Sequence, residues 1–148
     1  MKKTLFVLLL NLIGVTIFAQ SKDLYIIFQE RTDADNEIKH LTSPNFDSQC
    51  YRYQPHLFSV KQACVIRTFY FMNLTSESDI PILTKPVSFL ETVEYMDWNT
   101  EIMNYSGAQF YEFLDKIRTY DKVYFIDRSE IKDGKMKMYP VKELRAGY

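Results

Sequence analysis

The chain has 148 residues, with 18 Lys and Arg against 19 Asp and Glu, for a formal net charge of −1. Hydrophobic residues make up 47% and aromatics 16%, which excludes a wholly disordered polymer and supplies enough apolar side chain for one domain with its own core. A weakly acidic chain without a basic run has no electrostatic hold on nucleic acid or anionic lipid, so neither is expected as a partner.

The first twenty residues read MKKTLFVLLLNLIGVTIFAQ. Lys2 and Lys3 make a positive start, Leu5 to Phe18 is apolar apart from Asn11, Gly14 and Thr16, and Ala19 offers a small residue for cleavage. The pattern predicts a short bacterial signal peptide over 1–19. A membrane-spanning helix needs roughly 20 apolar residues and this run is shorter; its basic start also sets it apart from a buried core helix. No cysteine lies near the cut, which argues against a lipid anchor. The expected product is one exported globular domain over 20–148, free in the periplasm or outside the cell, with no membrane span. Removing 19 of 148 residues leaves 129, carrying 16 basic and 19 acidic side chains.

Leu24 to Phe28 is a compact run of β-formers and predicts the first strand. Residues 30–50 are polar and turn-rich. Asp33 or Asp35 is placed to cap one short helix around Asn36 to Leu41; the alternative there is a long surface loop. Cys50 and Cys64 are the only thiols. In an oxidising compartment such a pair is most simply a disulfide, and closing a loop of about 15 residues removes roughly 3 kcal/mol of unfolded-state entropy. A redox or nucleophilic pair would call for a C-x-x-C spacing or a neighbouring histidine, and neither is present. If the cysteines face each other on paired strands, the turn falls near Pro55 to Phe58. Val65 to Met72 is apolar or aromatic on both alternating faces except at Arg67 and Thr68, so it is expected to be a central strand covered on both sides, with Leu57 to Val60 as its neighbour.

Pro81 and Pro86 punctuate a connector over 73–86. Beyond it, Phe89, Val93, Met96, Thr100 and Met103 fall on a helical stripe, with Ser88 and Glu91 spaced as a capping box. The competing signals are a shared strand parity at Val87, Phe89, Val93 and Tyr95, and a turn at Asp97-Trp98-Asn99. The expectation is a helix over Phe89 to Met96. Ser106 to Tyr120 is the clearest helix: Ser106 is a good N-cap, and Phe110, Phe113, Leu114 and Ile117 have the spacing of a buried face. Lys122 to Asp127 predicts a strand, Asp133-Gly134 a hairpin turn, Lys135 to Val141 a returning edge strand, and 142–148 a frayed tail. The sum is an α+β domain: a small mixed or antiparallel sheet with one or two helices packed on one face.

Chemistry is sparse. After cleavage Gly107, Gly134 and Gly147 remain, too few for a phosphate loop, a nucleophile elbow or a dinucleotide fingerprint. His40 and His56 form no zinc-ligand or serine-triad signature, and their ordinary reading is surface or half-buried. No cofactor and no metal are expected. On one continuous helix Glu91, Glu94, Asp97 and Glu101 would share a broad face, and two carboxylates in separate environments can divide acid and base roles. A carboxylate-dependent hydrolase using Glu94, Asp97 and Asp127 is therefore the catalytic alternative. The ordinary readings are a solvated acidic face and an Asp127 that ends its strand paired with Arg128. Tyr51, Arg52, Tyr53 and the sole tryptophan, Trp98, are the candidate binding surface, because tyrosine, tryptophan and arginine bring large contact area at low entropy cost. For Trp98 core packing is the commoner fate. The leading expectation is a non-catalytic binding or accessory domain contacting a protein or an envelope component; an inhibitor or immunity-type protein is the third alternative.

Overall fold

A computed structural model describes residues 22–32, 36–41, 56–62, 68–73 and 81–144. Nine strands are formed among them: β1 (Asp23–Phe28), β2 (Arg31–Thr32), β3 (Glu37–Leu41), β4 (Leu57–Lys61), β5 (Phe69–Asn73), β6 (Leu83–Pro86), β7 (Tyr95–Asp97), β8 (Lys122–Asp127) and β9 (Lys135–Leu144). One α-helix, α1 (Gly107–Ile117), precedes β8, and 3-10 turns occupy Val87–Thr92, Ile102–Asn104 and Arg128–Glu130. The result is a mixed sheet with little helix. The α+β expectation is met in that coarser form.

The sheet runs β2-β3-β4-β5-β9-β8-β1-β7, with β6 on the first half of β9. The β1 strand is parallel to both β8 and β7, and all other pairings are antiparallel. Only Gln29 and Glu30 separate the end of β1 from the start of β2, yet the two strands stand six places apart in the sheet. So short a link cannot span a flat sheet whose strands lie roughly 4.8 Å apart. The sheet therefore curls until its β2 end returns to β1. Rings that would be distant in a flat sheet meet inside the curl: Phe28 on β1 lies 5.8 Å from Phe58 on β4, and Phe58 lies 5.1 Å from Phe125 on β8.

Alternation explains the two cores. Leu24, Ile26 and Phe28 of β1 join Val123 and Phe125 of β8 in the inner cluster, which also takes in Phe58, Phe71, Trp98 and Tyr139. The other parity, Ile27 with Tyr124 and Ile126, joins Met136, Met138 and Leu90 in a second cluster outside. A strand apolar on both faces must be covered on both. Here β1 and β8 fill that role. The β5 strand is interior in the sheet, between β4 and β9, but its Tyr70 is exposed. Of the doubly covered strand expected over Val65 to Met72, residues 65–67 lie outside the described residues; within β5 Phe69 and Phe71 face inward, and at Tyr70 the outer face is open to water, which the amphipathic tyrosine tolerates.

The helix forms as its pattern predicts. Ser106 Oγ accepts from the Gln109 amide while the Gln109 side chain accepts from the Ser106 amide, closing a capping box. Phe110, Phe113, Leu114 and Ile117 are buried in the inner cluster, with Phe110 beside Phe69 and Trp98 at 5.5 and 6.1 Å. At the other end of β9, Asp133 (φ 52°) and Gly134 (φ 67°) make the tight turn, and Lys132 and Lys135 exchange backbone hydrogen bonds across it.

Four expectations are corrected. In place of a short helix around Asn36 to Leu41, Glu37–Leu41 is strand β3, because its one alternating pair, Ile38 and His40, is drawn inward while the backbone pairs with β4. The Phe89 to Met96 helix is a 3-10 turn over Val87–Thr92 that gives way to β7; its N-cap is Pro86, without a side-chain bond, so the Ser88–Glu91 box does not form. The returning strand over Lys135 to Val141 is interior, paired with β5, β6 and β8, and it carries on through residues expected to fray as far as Leu144. Leu57 to Val60, expected beside the next strand, does form β4 and pairs with β5, so the turn placed near Pro55 to Phe58 on condition that the cysteines face each other does not extend over Leu57 and Phe58. The signal segment, Cys50, Cys64, Tyr51, Arg52 and Tyr53 lie outside the described residues.

Candidate functional site

The strongest convergence of ionisable groups lies inside the curl, where β3, β4, β8 and β9 come together. Alternation on β3 turns His40 inward with Ile38, and His56 enters from the residue just before β4. Asp127 closes β8 on the inward parity of Val123 and Phe125, and Tyr139 comes from the middle of β9. His40 Nε2 lies 2.8 Å from His56 Nδ1, and His40 Nδ1 lies 3.5 Å from Asp127 Oδ2. Both members of the second pair are enclosed, with side chains 2% and 4% exposed. Asp127 Oδ1 accepts from the Ser129 amide at 2.9 Å and its hydroxyl at 2.7 Å. The backbone N–H of His40 donates to Glu30 Oε1 at 2.7 Å.

Aromatic rings hold the pair in place. Phe58 stacks on His40 with centroids 4.4 Å apart, and Tyr139 lies 4.8 Å from His40 and 4.6 Å from His56. The Tyr139 hydroxyl donates to Glu130 Oε2, and Lys137 Nζ stands 4.0 Å from the other Glu130 oxygen. Burial works to raise the Asp127 carboxyl, but His40 and the two Ser129 donors outweigh it and hold it below its ordinary value. Burial first, and His40 next, hold the His56 ring below the ordinary imidazole value; Glu130 opposes this and Lys137 adds to it. Burial, then the bond to Glu130, push the Tyr139 phenol far above its usual range. Chemically, the Asp127–His40–His56 string can pass a proton between its two rings, with a carboxylate at its inner end to balance the charge.

The carboxylates named from sequence do not assemble into a common site. Asp97 ends β7 and binds Arg128 through both oxygens. It also accepts from the Asn99 and Thr100 amides at 2.9 and 3.3 Å. Burial works to raise it, and Arg128 with those amides brings it below its ordinary value. Glu94 and Glu91 are exposed, and Glu101 turns back to accept from the Asp97 amide at 3.1 Å. With no continuous helix, the shared acidic face of these residues does not exist. Asp127, expected beside Arg128, instead faces His40. Trp98 is 2% exposed and packs against Phe110 and Phe113, so it belongs to the core and not to an exposed binding surface.

Register reveals a second feature. Tyr124, Tyr25 and Tyr95 lie side by side on β8, β1 and β7. Tyr25 stacks on Tyr124 at 5.3 Å and meets Phe89 edge-on at 5.4 Å, while Tyr95 at the sheet edge is 43% exposed. No local motif points to this row or to the histidine pair. The one available signal was the alternation of Ile38 with His40. Among the described residues, no three His, Cys, Asp or Glu side chains are arranged to hold a metal ion, and no helix is long and apolar enough to cross a membrane. Comparison with protein-family models, curated proteins and solved structures finds no match to this chain.

Proposed function

We propose that the protein is an exported, non-catalytic binding or accessory domain that contacts a protein or another envelope component. The observation that carries this reading is the state of the carboxylates. Asp97 is taken by Arg128 and two amides, Asp127 by Ser129 and His40, and Glu130 by Tyr139, so each serves the fold. A hydrolase needs one carboxyl kept protonated for acid work and a second left free as base or nucleophile. Asp97 and Asp127 are instead both drawn below their ordinary values, toward the ionised form.

Contact is assigned to the open end of the tyrosine row, at Tyr95, where an aromatic face reaches solvent from a rigid edge. Tyr51, Arg52 and Tyr53, named for their residue types alone, are the further candidates for contact. In this reading residues 1–19 are removed on export to the periplasm or beyond, Cys50 and Cys64 are oxidised to a disulfide, and the α+β fold keeps α1 over the inner face of the sheet.

The test is site-specific photocrosslinking in cells. A crosslinker at position 95 is expected to trap one discrete partner, and the same group at the exposed helix position 112 to trap none. Equal, diffuse labelling at both positions, together with glycan hydrolysis that Asp127→Asn abolishes, would reverse the reading in favour of the enzyme.

A further inference from the structure

We infer that the His40–His56 contact is a proton-operated latch, which holds the start of β4 against β3 and β8 and releases it in acid surroundings. This goes beyond the binding role and stands whether or not that role is correct. A hydrogen bond between two imidazole nitrogens needs a proton on one and a lone pair on the other. With ring nitrogens 2.8 Å apart, the bond survives while either ring is neutral and fails when both are cations. His40 is buried under Phe58 and His56 is half-buried, with Tyr139 against both rings, so water screens the repulsion only in part and the failure is costly.

The charges facing the pair accommodate one proton and not two. From β8, Asp127 lies against His40 Nδ1. From the turn between β1 and β2, Glu30 is occupied by the His40 backbone N–H. From the 3-10 turn after β8, Glu130 is occupied by the Tyr139 hydroxyl and neighboured by Lys137 of β9. The carboxylate of Asp127 therefore faces His40, while His56 has only a Glu130 already shared and a lysine that would repel a second positive charge. His56 is the ring that gives way.

The consequence is local. His56 adjoins Leu57, whose backbone pairs with Leu41 on β3 and Met72 on β5, and the next residue, Phe58, is a fully buried ring of the inner core. When His56 leaves, the first pairs of β4 fray. The sign follows from its depressed value. A neutral His56 supports the fold above about pH 6.5, and that support is lost as the pH falls through the lower value it has in the folded protein.

The experiment follows the histidine ring nitrogens by NMR in the full chain from pH 8 to pH 5, alongside amide exchange at β4 and β8 expressed as protection factors. His56 is expected to titrate below free histidine. Protection of Leu57 and Phe58 should fall at least about tenfold along the same curve, while Val123 to Ile126 keep theirs. His56→Phe, which keeps a ring and removes the titration, should flatten the pH dependence at Leu57. It should also recover on the order of 3 °C of the melting temperature that wild type loses between pH 7.5 and 5.5. Titration of His56 at or above the free value, or β4 protection that ignores pH, would overturn the latch. Should His56→Phe fail to fold, the wild-type titration alone decides.

Discussion

Arg128, the first residue beyond β8, binds the carboxylate of Asp97, the last residue of β7, and in doing so reaches over the intervening β1. The three strands are parallel, so their carboxyl ends lie together at one edge of the sheet. Asn99 closes the same edge by exchanging two hydrogen bonds with the Gln29 backbone, at 2.8 and 3.1 Å. Replacing Arg128 with alanine should leave Asp97 half-enclosed with only its amide donors. The Arg128 side chain is 34% exposed, so solvent screening limits the expected loss to about 1 kcal/mol. Arg128→Lys should recover only part of it, since an ammonium cannot match both oxygens. Urea denaturation of the two variants at pH 7 checks this. Because Asp97 is depressed, its contribution is present above the ordinary 3.8 and lost as the pH falls through its lower folded value, so the Arg128→Ala penalty should shrink in strong acid.

Asp127 is the more demanding carboxylate. It is enclosed and turns one oxygen to Ser129 and the other to His40. Asp127→Asn keeps the shape but removes the charge that faces the imidazole, with an expected cost of roughly 1–3 kcal/mol. Asp127→Ala also strands the Ser129 donors and should cost about 3–5 kcal/mol. Equal penalties for the two variants would mean that the charge contributes nothing. Chemical denaturation at pH 7 provides the comparison.

Alkali reads the tyrosines. Tyr25 and Tyr124 are raised above 10.0 mainly by burial, with Asp23 adding to both, and Tyr139 is raised much further by burial and Glu130. A raised phenol favours the fold in its neutral form. That contribution is fully present below pH 10 and is lost as the pH climbs toward the folded value. In an absorbance titration these three phenols should ionise above the ordinary tyrosine value, and Tyr139 only as the protein unfolds. In Tyr139→Phe the delayed step should lose one tyrosine's amplitude, and stability at pH 7 should fall by about 1 kcal/mol for the lost hydrogen bond.

The Asp133-Gly134 turn has positive φ at both residues, which is the requirement of a type I′ hairpin turn. A Cβ built on Gly134 would meet nothing within 4 Å, so Gly134→Ala should cost only the backbone strain, about 1 kcal/mol. Asp133→Asn should gain a few tenths of a kcal/mol, since asparagine tolerates the left-handed region better. Thermal melts of the two variants should move in opposite directions.

Segments whose side chains repeat with a single clear period could be read directly. The β1 and β8 strands, the Ser106 N-cap and buried face of α1, and the Asp133-Gly134 turn all depend on neighbours within a few residues, and local sequence states them. It misled where two periods competed. Val87 to Met96 carries a helical stripe and a strand parity at once, and the parallel pairing of Tyr95 to Asp97 with β1 decided for the strand. Asn36 to Leu41 has too few apolar positions to declare itself, and pairing with β4 made Glu37–Leu41 a strand.

Local composition also limited which catalytic signatures the sequence can carry: three glycines beyond residue 19 and two histidines spell out no local catalytic motif. Only the tertiary structure decided what those histidines do. They stand 16 residues apart, and the aspartate that His40 faces comes from much further along the chain. The tyrosine row likewise exists only through the register of three parallel strands. Such contacts follow from the curl that the two-residue link between β1 and β2 imposes on the sheet. Curl and register are set by the summed packing of all the strands, so no window of neighbouring residues contains them.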